Sequence, residues 1–440
     1  SKQLKKPVSG FVIRKSRKPA GLQKLIEGKL NDEKIILVDD LINSGSTILR
    51  QLKVLESLGK KVDFVFTLVN FRGERNTKLL SQKNIQLVSL FLLKDFDLSL
   101  KEKELSKESF RAVWHFQAPD SSYFWVVPKS TPCLDEEKIY FGSDNGTFWA
   151  LNQDNGSVIW TFKVGYSVKG KSIFSSPAIH KDKIFFSSYD GNVYALDKDT
   201  GKLKWKFGEA DWVGSSPAVA PDLGLLFIGL EFGLFKKRGG IAALDLETGQ
   251  KTWNHQMTEY VHCSPTYCAE KRVVIIGGND HYVYMFKAKN GKLLWKFKTG
   301  RDIKASFEFD VKRNLVLFGS FDNNLYALDI DTGEVKGKFE TKDYIYSTPK
   351  VHEDNVYFTS TDKNLYSMNL DTGKLNWRFA AGGRIFSSPE IADDKILIGA
   401  TNGVFYEIDA KTGKSISIFQ ATERITNKIV YNPMAKRYFV

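Results

Sequence analysis

The chain has 440 residues, 42% of them hydrophobic and 13% aromatic, enough to core two or three ordinary domains. A mean hydropathy of -0.29 and the lack of any uncharged apolar run of about 18 residues exclude a membrane-spanning helix, and the composition excludes a disordered or collagen-like chain. The net charge of +13 is uneven, because residues 1–110 hold 22 Lys and Arg against 13 Asp and Glu.

The first thirty residues are basic, and they lack the apolar core of a signal segment. A basic face invites a polyanion, either a phosphorylated small molecule or nucleic acid. No nucleic-acid-binding motif accompanies it, and the aromatic residues that could stack on bases fall at structural positions further along, so a small molecule is favoured. No membrane partner is expected.

Next comes KIILVDDLINSGSTILRQLKVLESLGKKV, Lys34 to Val62. Ile35, Ile36, Leu37 and Val38 read as the continuous apolar run of a buried, central parallel strand. Ile48, Leu49, Leu52, Leu55 and Leu58 recur at helical spacing and give the following helix an apolar face. VDFVFTLVN is then a second strand and Ile85 to Leu93 a third. This βαβαβ order predicts an α/β, Rossmann-like parallel sheet, whose ligands sit at the carboxyl ends of its strands.

At that edge stand Asp39 and Asp40, followed by Asn43, Ser44, Gly45, Ser46 and Thr47 where the helix begins. Backbone amides of such a turn, hydroxyl side chains and the helix N-terminus together make a cradle for a phosphate dianion. Neighbouring carboxylates accept hydrogen bonds from adjacent sugar hydroxyls. The two demands describe a ribose 5-phosphate; the plainer alternative is a capped turn with solvated aspartates.

The strand, acidic pair and hydroxyl-rich loop resemble the 5-phosphoribosyl-1-diphosphate (PRPP) motif of type I phosphoribosyltransferases. FVIRKSRKPAGLQKLIEG, Phe11 to Gly28, is similar to the orotate phosphoribosyltransferase stretch of Arg-Lys, mobile loop and Ile-Glu-Gly. The resemblance implies that Arg14, Lys15 and Lys18 face the pyrophosphate of PRPP. Lys18 would lie on a loop that closes over a neighbouring subunit's site, hence a homodimer through this domain. VNFRGE, Val69 to Glu74, resembles the strand end that carries an arginine for the orotate carboxylate, which makes Arg72 the base-binding residue. The catalytic set implied is Lys18, Asp39 and Asp40, with Mg2+ entering alongside PRPP.

Two features depart from the family pattern. Ala20 stands before Gly21 where the family's loop has histidine. The resemblance also places a hood and a second pyrophosphate loop upstream of Ser1, so these residues correspond to a carboxyl half and are not expected to turn over alone. A non-catalytic sensor of PRPP or nucleotide is the competing reading.

After the charged run KEKELSKESF, a boundary is expected near residue 105. From there one phrase recurs, aligned on Ala150, Ala195, Ala243, Met285, Ala327, Ser367 and Glu407. Six residues on stands glycine in every unit. Ten residues on stands Trp160, Trp205, Trp253, Trp295 or Trp377, but Gly337 and Ser417 in two units. Intervals of 40 to 48 residues fit one four-stranded propeller blade each. Asp or Asn two residues on, with the TG or NG pair, makes the hairpin between third and fourth strands. Each Trp lays a flat ring on the neighbouring blade.

AVWHF, Ala112 to Phe116, reads as an extra outer strand with its own Trp, while RITNKIVYN and RYFV read as two strands of a further blade. Eight blades are therefore expected, the last assembled from both chain ends, over residues 106–440. The units resemble the pyrroloquinoline-quinone (PQQ) repeat of quinoprotein dehydrogenases and of an outer-membrane assembly lipoprotein. The quinone-dependent members carry a vicinal cysteine pair and a calcium-binding carboxylate cluster, and this sequence has neither, so no PQQ is expected. The propeller reads as a scaffold for a protein partner of unknown identity. Cys133, Cys263 and Cys268 form no CxxC pair; they suit a reducing, cytoplasmic setting and read as strand residues.

Overall fold

The computed structural model describes residues 11–13, 26–28, 35–42, 46–70, 80–92, 110, 112–116, 130–165, 170–234, 237–421 and 423–440. It divides into two compact units, Ser1–Lys103 and Glu104–Val440, and each has its own core.

In the first unit, β1 (Phe11–Ile13) and β2 (Ile26–Gly28) pair antiparallel. Further on, β3 (Ile35–Ile42), β4 (Val62–Asn70) and β5 (Gln86–Leu92) form a parallel sheet in the order β3-β4-β5. The helix α1 (Ser46–Glu56) makes the first crossover, and helical residues Leu80 and Ser81 end the second. Ile48, Leu52 and Leu55 fall on one stripe of α1 and bury against Ile35, Leu37, Val62 and Val65. Each such side chain contributes about 1.5–3 kcal/mol.

The expectation of a central strand buried on both faces does not hold for β3. Among the described residues β3 is an edge strand, and its burial alternates: Ile35 and Leu37 are buried, whereas Ile36 is 55% and Val38 71% exposed. Among the described residues one helix covers one face, so Ile35 to Val38 alternate in place of the continuous burial of a doubly wound sheet, although Ile42 at the strand end is buried again. Leu68, Val88 and Leu90 continue the exposed apolar set. The described part is thus a parallel sheet with one covering helix, short of a complete Rossmann-like layer.

In the second unit, seven four-stranded antiparallel sheets follow one another: Cys133–Lys163, Ala178–Phe207, Ala218–Met257, Thr266–Lys298, Glu308–Glu340, Lys350–Ala380 and Glu390–Gln420, hereafter blades 1 to 7. First strands of successive blades neighbour one another and so ring the axis. Among the described residues the blades number seven complete ones, not the expected eight. Val430–Asn432 and Arg437–Phe439 pair as a two-stranded sheet, and residues 112–116 form no strand.

The Trp plates are directional. Trp114, Trp160, Trp205, Trp253, Trp295 and Trp377 each donate an indole N–H to a backbone carbonyl of the next unit, at 2.8–3.1 Å. Each ring also covers the next unit's hairpin glycine, where a Cβ would sit 2.5–2.7 Å from the indole. Those glycines have φ of 67–74°, so both conformation and space demand glycine. Gly373 is the exception. The preceding plate position is Gly337, and nothing lies within 4 Å of a Cβ on Gly373, although its φ is 66°.

Gly373→Ala should therefore cost about 1–2 kcal/mol of conformational strain alone. Gly249→Ala, which drives a methyl into Trp205, should add about 1–3 kcal/mol of overpacking. Urea midpoints of the two variants distinguish these outcomes, and equal costs would refute the docking account.

The hairpins also carry a pH dependence. The Asp245 carboxylate accepts from the Thr248 amide at 2.8 Å, and Asp409 from the Thr412 hydroxyl at 2.7 Å. Those bonds hold both carboxyls below the usual carboxylate range. A folded pKa below the unfolded value gives stability that is complete above about pH 4 and is lost as pH falls through the folded value. Asn369 accepts the same bonds from Thr372 without titrating. The double variant Asp245→Asn/Asp409→Asn should consequently lose less melting temperature between neutral and acid pH than the parent.

Candidate functional site

The parallel order of β3 and β4 puts both carboxyl ends, and the start of α1, on one edge of the sheet. Asp39 lies in β3 in register with Thr67 of β4 and is half-buried. It shares the strand face of Ile35 and Leu37, which is the face α1 covers. Asp40 belongs to the same strand, and its side chain lies outside the described residues. Ser46 and Thr47 form the first turn of α1, where backbone amides have no partner within the helix and the helix dipole favours an anion.

Asn43, Ser44 and Gly45, which link Ile42 to Ser46, fall outside the described residues, as do Arg14, Lys15, Lys18, Ala20 and Arg72. The structure thus brings Asp39, Asp40, Ser46 and Thr47 to one edge by their backbones.

Two residues absent from the sequence reading lie on this edge. Thr67 is fully buried and donates its hydroxyl to the Val69 carbonyl at 3.1 Å. Asn70, the last residue of β4, is in register with Ile42 and only 1% exposed. A polar residue closing an apolar strand is the signal that could have found Asn70: a buried amide at a ligand edge needs partners.

In the propeller, a hollow of about 350 Å3 lies between blades 6 and 7, lined by Tyr357, Trp377, Asp394 and Lys411 among others. Trp377 there is occupied in docking, its indole bonded to the Ala410 carbonyl at 3.0 Å. Among the described residues no three His, Cys, Asp or Glu side chains gather as a metal would require. Cys133 and Cys268 are strand residues as expected. Cys263 instead precedes a strand; it is fully buried and its thiol meets the Ala305 carbonyl at 2.8 Å. Burial pushes that thiol up to about 12, which makes it inert.

Comparison with known proteins divides along the same line. Over 90 residues the chain is 34% identical to the orotate phosphoribosyltransferase of Aquifex aeolicus, covering 20% of this chain and 49% of that protein. It is 28% identical over 92 residues to the enzyme of Rhodopirellula baltica, covering 21% and 47%. The chain spans about half the length of these curated relatives. Residues 103–262 match the family model of the outer membrane protein assembly factor BamB, and residues 236–440 that of the beta-alanine-activating enzyme beta-propeller. A transferase-like segment precedes a BamB-like propeller.

Among solved structures, BamB from Moraxella catarrhalis aligns at a TM-score of 0.58 and 19% identity, over 69% of this chain and 88% of that one. A europium-containing methanol dehydrogenase aligns at 0.59 and 14%, over 70% and 81%. At such identities the likeness concerns the fold. No described helix is long and apolar enough to cross a membrane.

Proposed function

We propose that the first unit binds Mg-PRPP and takes part in an orotate-type phosphoribosyl transfer, with the propeller as a scaffold for a protein partner. The observation that carries this reading is the acidic pair on β3, followed after Ile42 by Asn43, Ser44 and Gly45 and then the N-terminus of α1, in a stretch 32–34% identical to orotate phosphoribosyltransferases. Asp39 and Asp40 accept the ribose hydroxyls, and Asn43 to Thr47 hold the 5-phosphate. Arg14, Lys15 and Lys18 face the pyrophosphate, and Arg72 the carboxylate of the base.

In the transfer, the bond from the sugar C1 to a pyrophosphate oxygen breaks and a bond from C1 to a base nitrogen forms, with loss of that nitrogen's proton. Negative charge collects on the departing pyrophosphate as the sugar becomes oxocarbenium-like. Closely spaced cations are worth most at that point. The setting proposed is cytoplasmic, with pairing of two chains through the first unit.

Titration calorimetry with Mg-PRPP, followed by a pyrophosphate-release assay on adding orotate, tests the reading. Binding with release supports transfer. Binding without release supports the second reading, a PRPP sensor, which Ala20 favours. No binding rejects both.

A further inference from the structure

Between blades 7 and 1 lies a wedge that has the parts of a blade except one strand. Val430–Asn432 neighbours the first strand of blade 7, as first strands neighbour one another elsewhere in the ring, and Arg437–Phe439 pairs with it in the place of a second strand. This hairpin is tied to both sides: the Tyr438 hydroxyl donates to the Glu407 carboxylate of blade 7 at 3.1 Å, and the Asn432 amide to the Gln153 side-chain oxygen of blade 1 at 2.8 Å. Residues 112–116 stand in the place of an outer strand. Val113 to Phe116 alternate in exposure as Asn376 to Phe379 do in the outer strand of blade 6. Phe116 meets Phe141 and Trp149 of blade 1 at 5.8 and 5.0 Å, much as Phe162 meets Phe186 and Tyr194 of blade 2 at 6.3 and 5.4 Å.

The gap between these two pieces is one strand wide. In blades 1, 2, 3 and 6 an aromatic ring of the second strand faces the plate Trp across a small third-strand residue, as Tyr140 faces Trp160 across Ala150. The two rings then lie 5.7–5.9 Å apart at 40–46°. Phe439 and Trp114 lie 5.9 Å apart at 50°, and among the described residues no strand stands between them. Such a ring spacing belongs to strands two places apart, about 9.5 Å in a sheet. Phe110 lies over the gap on the side of blade 7, its ring 5.0 Å from Phe405 and 5.4 Å from Tyr438. In a complete blade that face belongs to the apolar residue after the small one, as Leu244 of blade 3 packs with Phe185 and Ala195 of blade 2.

A strand edge without a partner accepts another strand through main-chain hydrogen bonds, and alternate side chains set which strand fits. Here two such edges face each other. The complete blades define the fit: a small residue opposite the plate position in five of them, Ala150, Ala195, Ala243, Ala327 or Ser367, set in an otherwise apolar run such as Leu325–Leu328. We propose that the gap is a docking slot for an extended strand of a partner protein, which seats a small residue between Phe439 and Trp114 and turns Phe110 out. The slot rests on the scaffold reading of the propeller and gives the partner its form.

Fluorescence anisotropy of a labelled peptide spanning Asn323–Ile330, the third-strand sequence of blade 5, added to the full chain tests this, with amide hydrogen exchange to locate the contact. Saturable binding with protection of residues 112–116 and 437–439 is expected. A peptide carrying Ala327→Trp should bind at least tenfold more weakly, since an indole has no room between Phe439 and Trp114. Phe110→Ala in the full chain should tighten binding of the unchanged peptide at least threefold by removing the competing ring. The slot is overturned if the peptide does not saturate, if both peptides bind alike, if protection falls on the edges of other blades, or if Phe110→Ala fails to tighten binding. Should that variant not fold, the two peptides decide. Calorimetry with Mg-PRPP on the same sample keeps the readings apart, because the peptide can fail to bind while Mg-PRPP still does.

Discussion

Replacing Asp39 and Asp40 together with asparagine should weaken binding of Mg-PRPP at least a hundredfold. A hydrogen bond to a charged group is worth about 1.5–3 kcal/mol, and about 1.4 kcal/mol is tenfold in affinity. Two carboxylates that each accept a sugar hydroxyl therefore account for two decades or more. Asp39 is half-buried on the face that packs against α1, so its exchange also needs a folding control. Asp40→Asn alone, with an unchanged melting curve and a loss of at least tenfold by calorimetry, separates binding from stability. Parent-like affinity in the double variant would return this edge to a capped turn.

The largest effect on stability should come from Trp205. It is 7% exposed, its indole bonds the Leu246 carbonyl at 3.0 Å, and it roofs Gly249. Trp205→Ala removes the ring, the bond and the seal between blades 2 and 3, and should cost about 3–5 kcal/mol in urea unfolding. Trp205→Phe keeps most of the apolar area and should cost less, mainly the orphaned carbonyl. Plates at Trp295 and Trp377 are only half-buried, so their alanine variants should lie below Trp205→Ala. Equal or negligible losses at all three positions would remove the plates from the stability account.

Much of the propeller was readable because its causes are local. Glycine at the sixth place of each unit is required by a positive φ, and every such glycine from Gly156 to Gly413 has one. The Asp or Asn acceptors likewise act within three residues, as Asp197 does on the Thr200 amide at 2.9 Å. Features set by distant chain were not readable. Whether β3 is central or at an edge depends on which strands flank it, and Ile36 and Val38 look the same in either place. The eighth blade depended on strands from both ends arriving in register. The contacts of Glu231 escaped notice because Trp212 and His262, which its Oε2 faces, lie in the loops that lead into blades 3 and 4. One hint was present: the interval from Ala195 to Ala243 is the longest, and it contains Leu225–Phe232, the eight-residue strand that carries Glu231.

Phe110 and Trp114 join segments that lie far apart along the chain. Phe110 lies 5.0 Å from Phe405 and 5.4 Å from Tyr438, and Trp114 lies 5.9 Å from Phe439. Those aromatic partners leave the ribosome about three hundred residues after Phe110, so these contacts form only once that much further chain has been made. Joining ends across so long a loop adds little entropy beyond a shorter one, because the cost grows only with the logarithm of length. It does impose a delay, during which Phe110 and Trp114 are bare to solvent and open to chaperone capture.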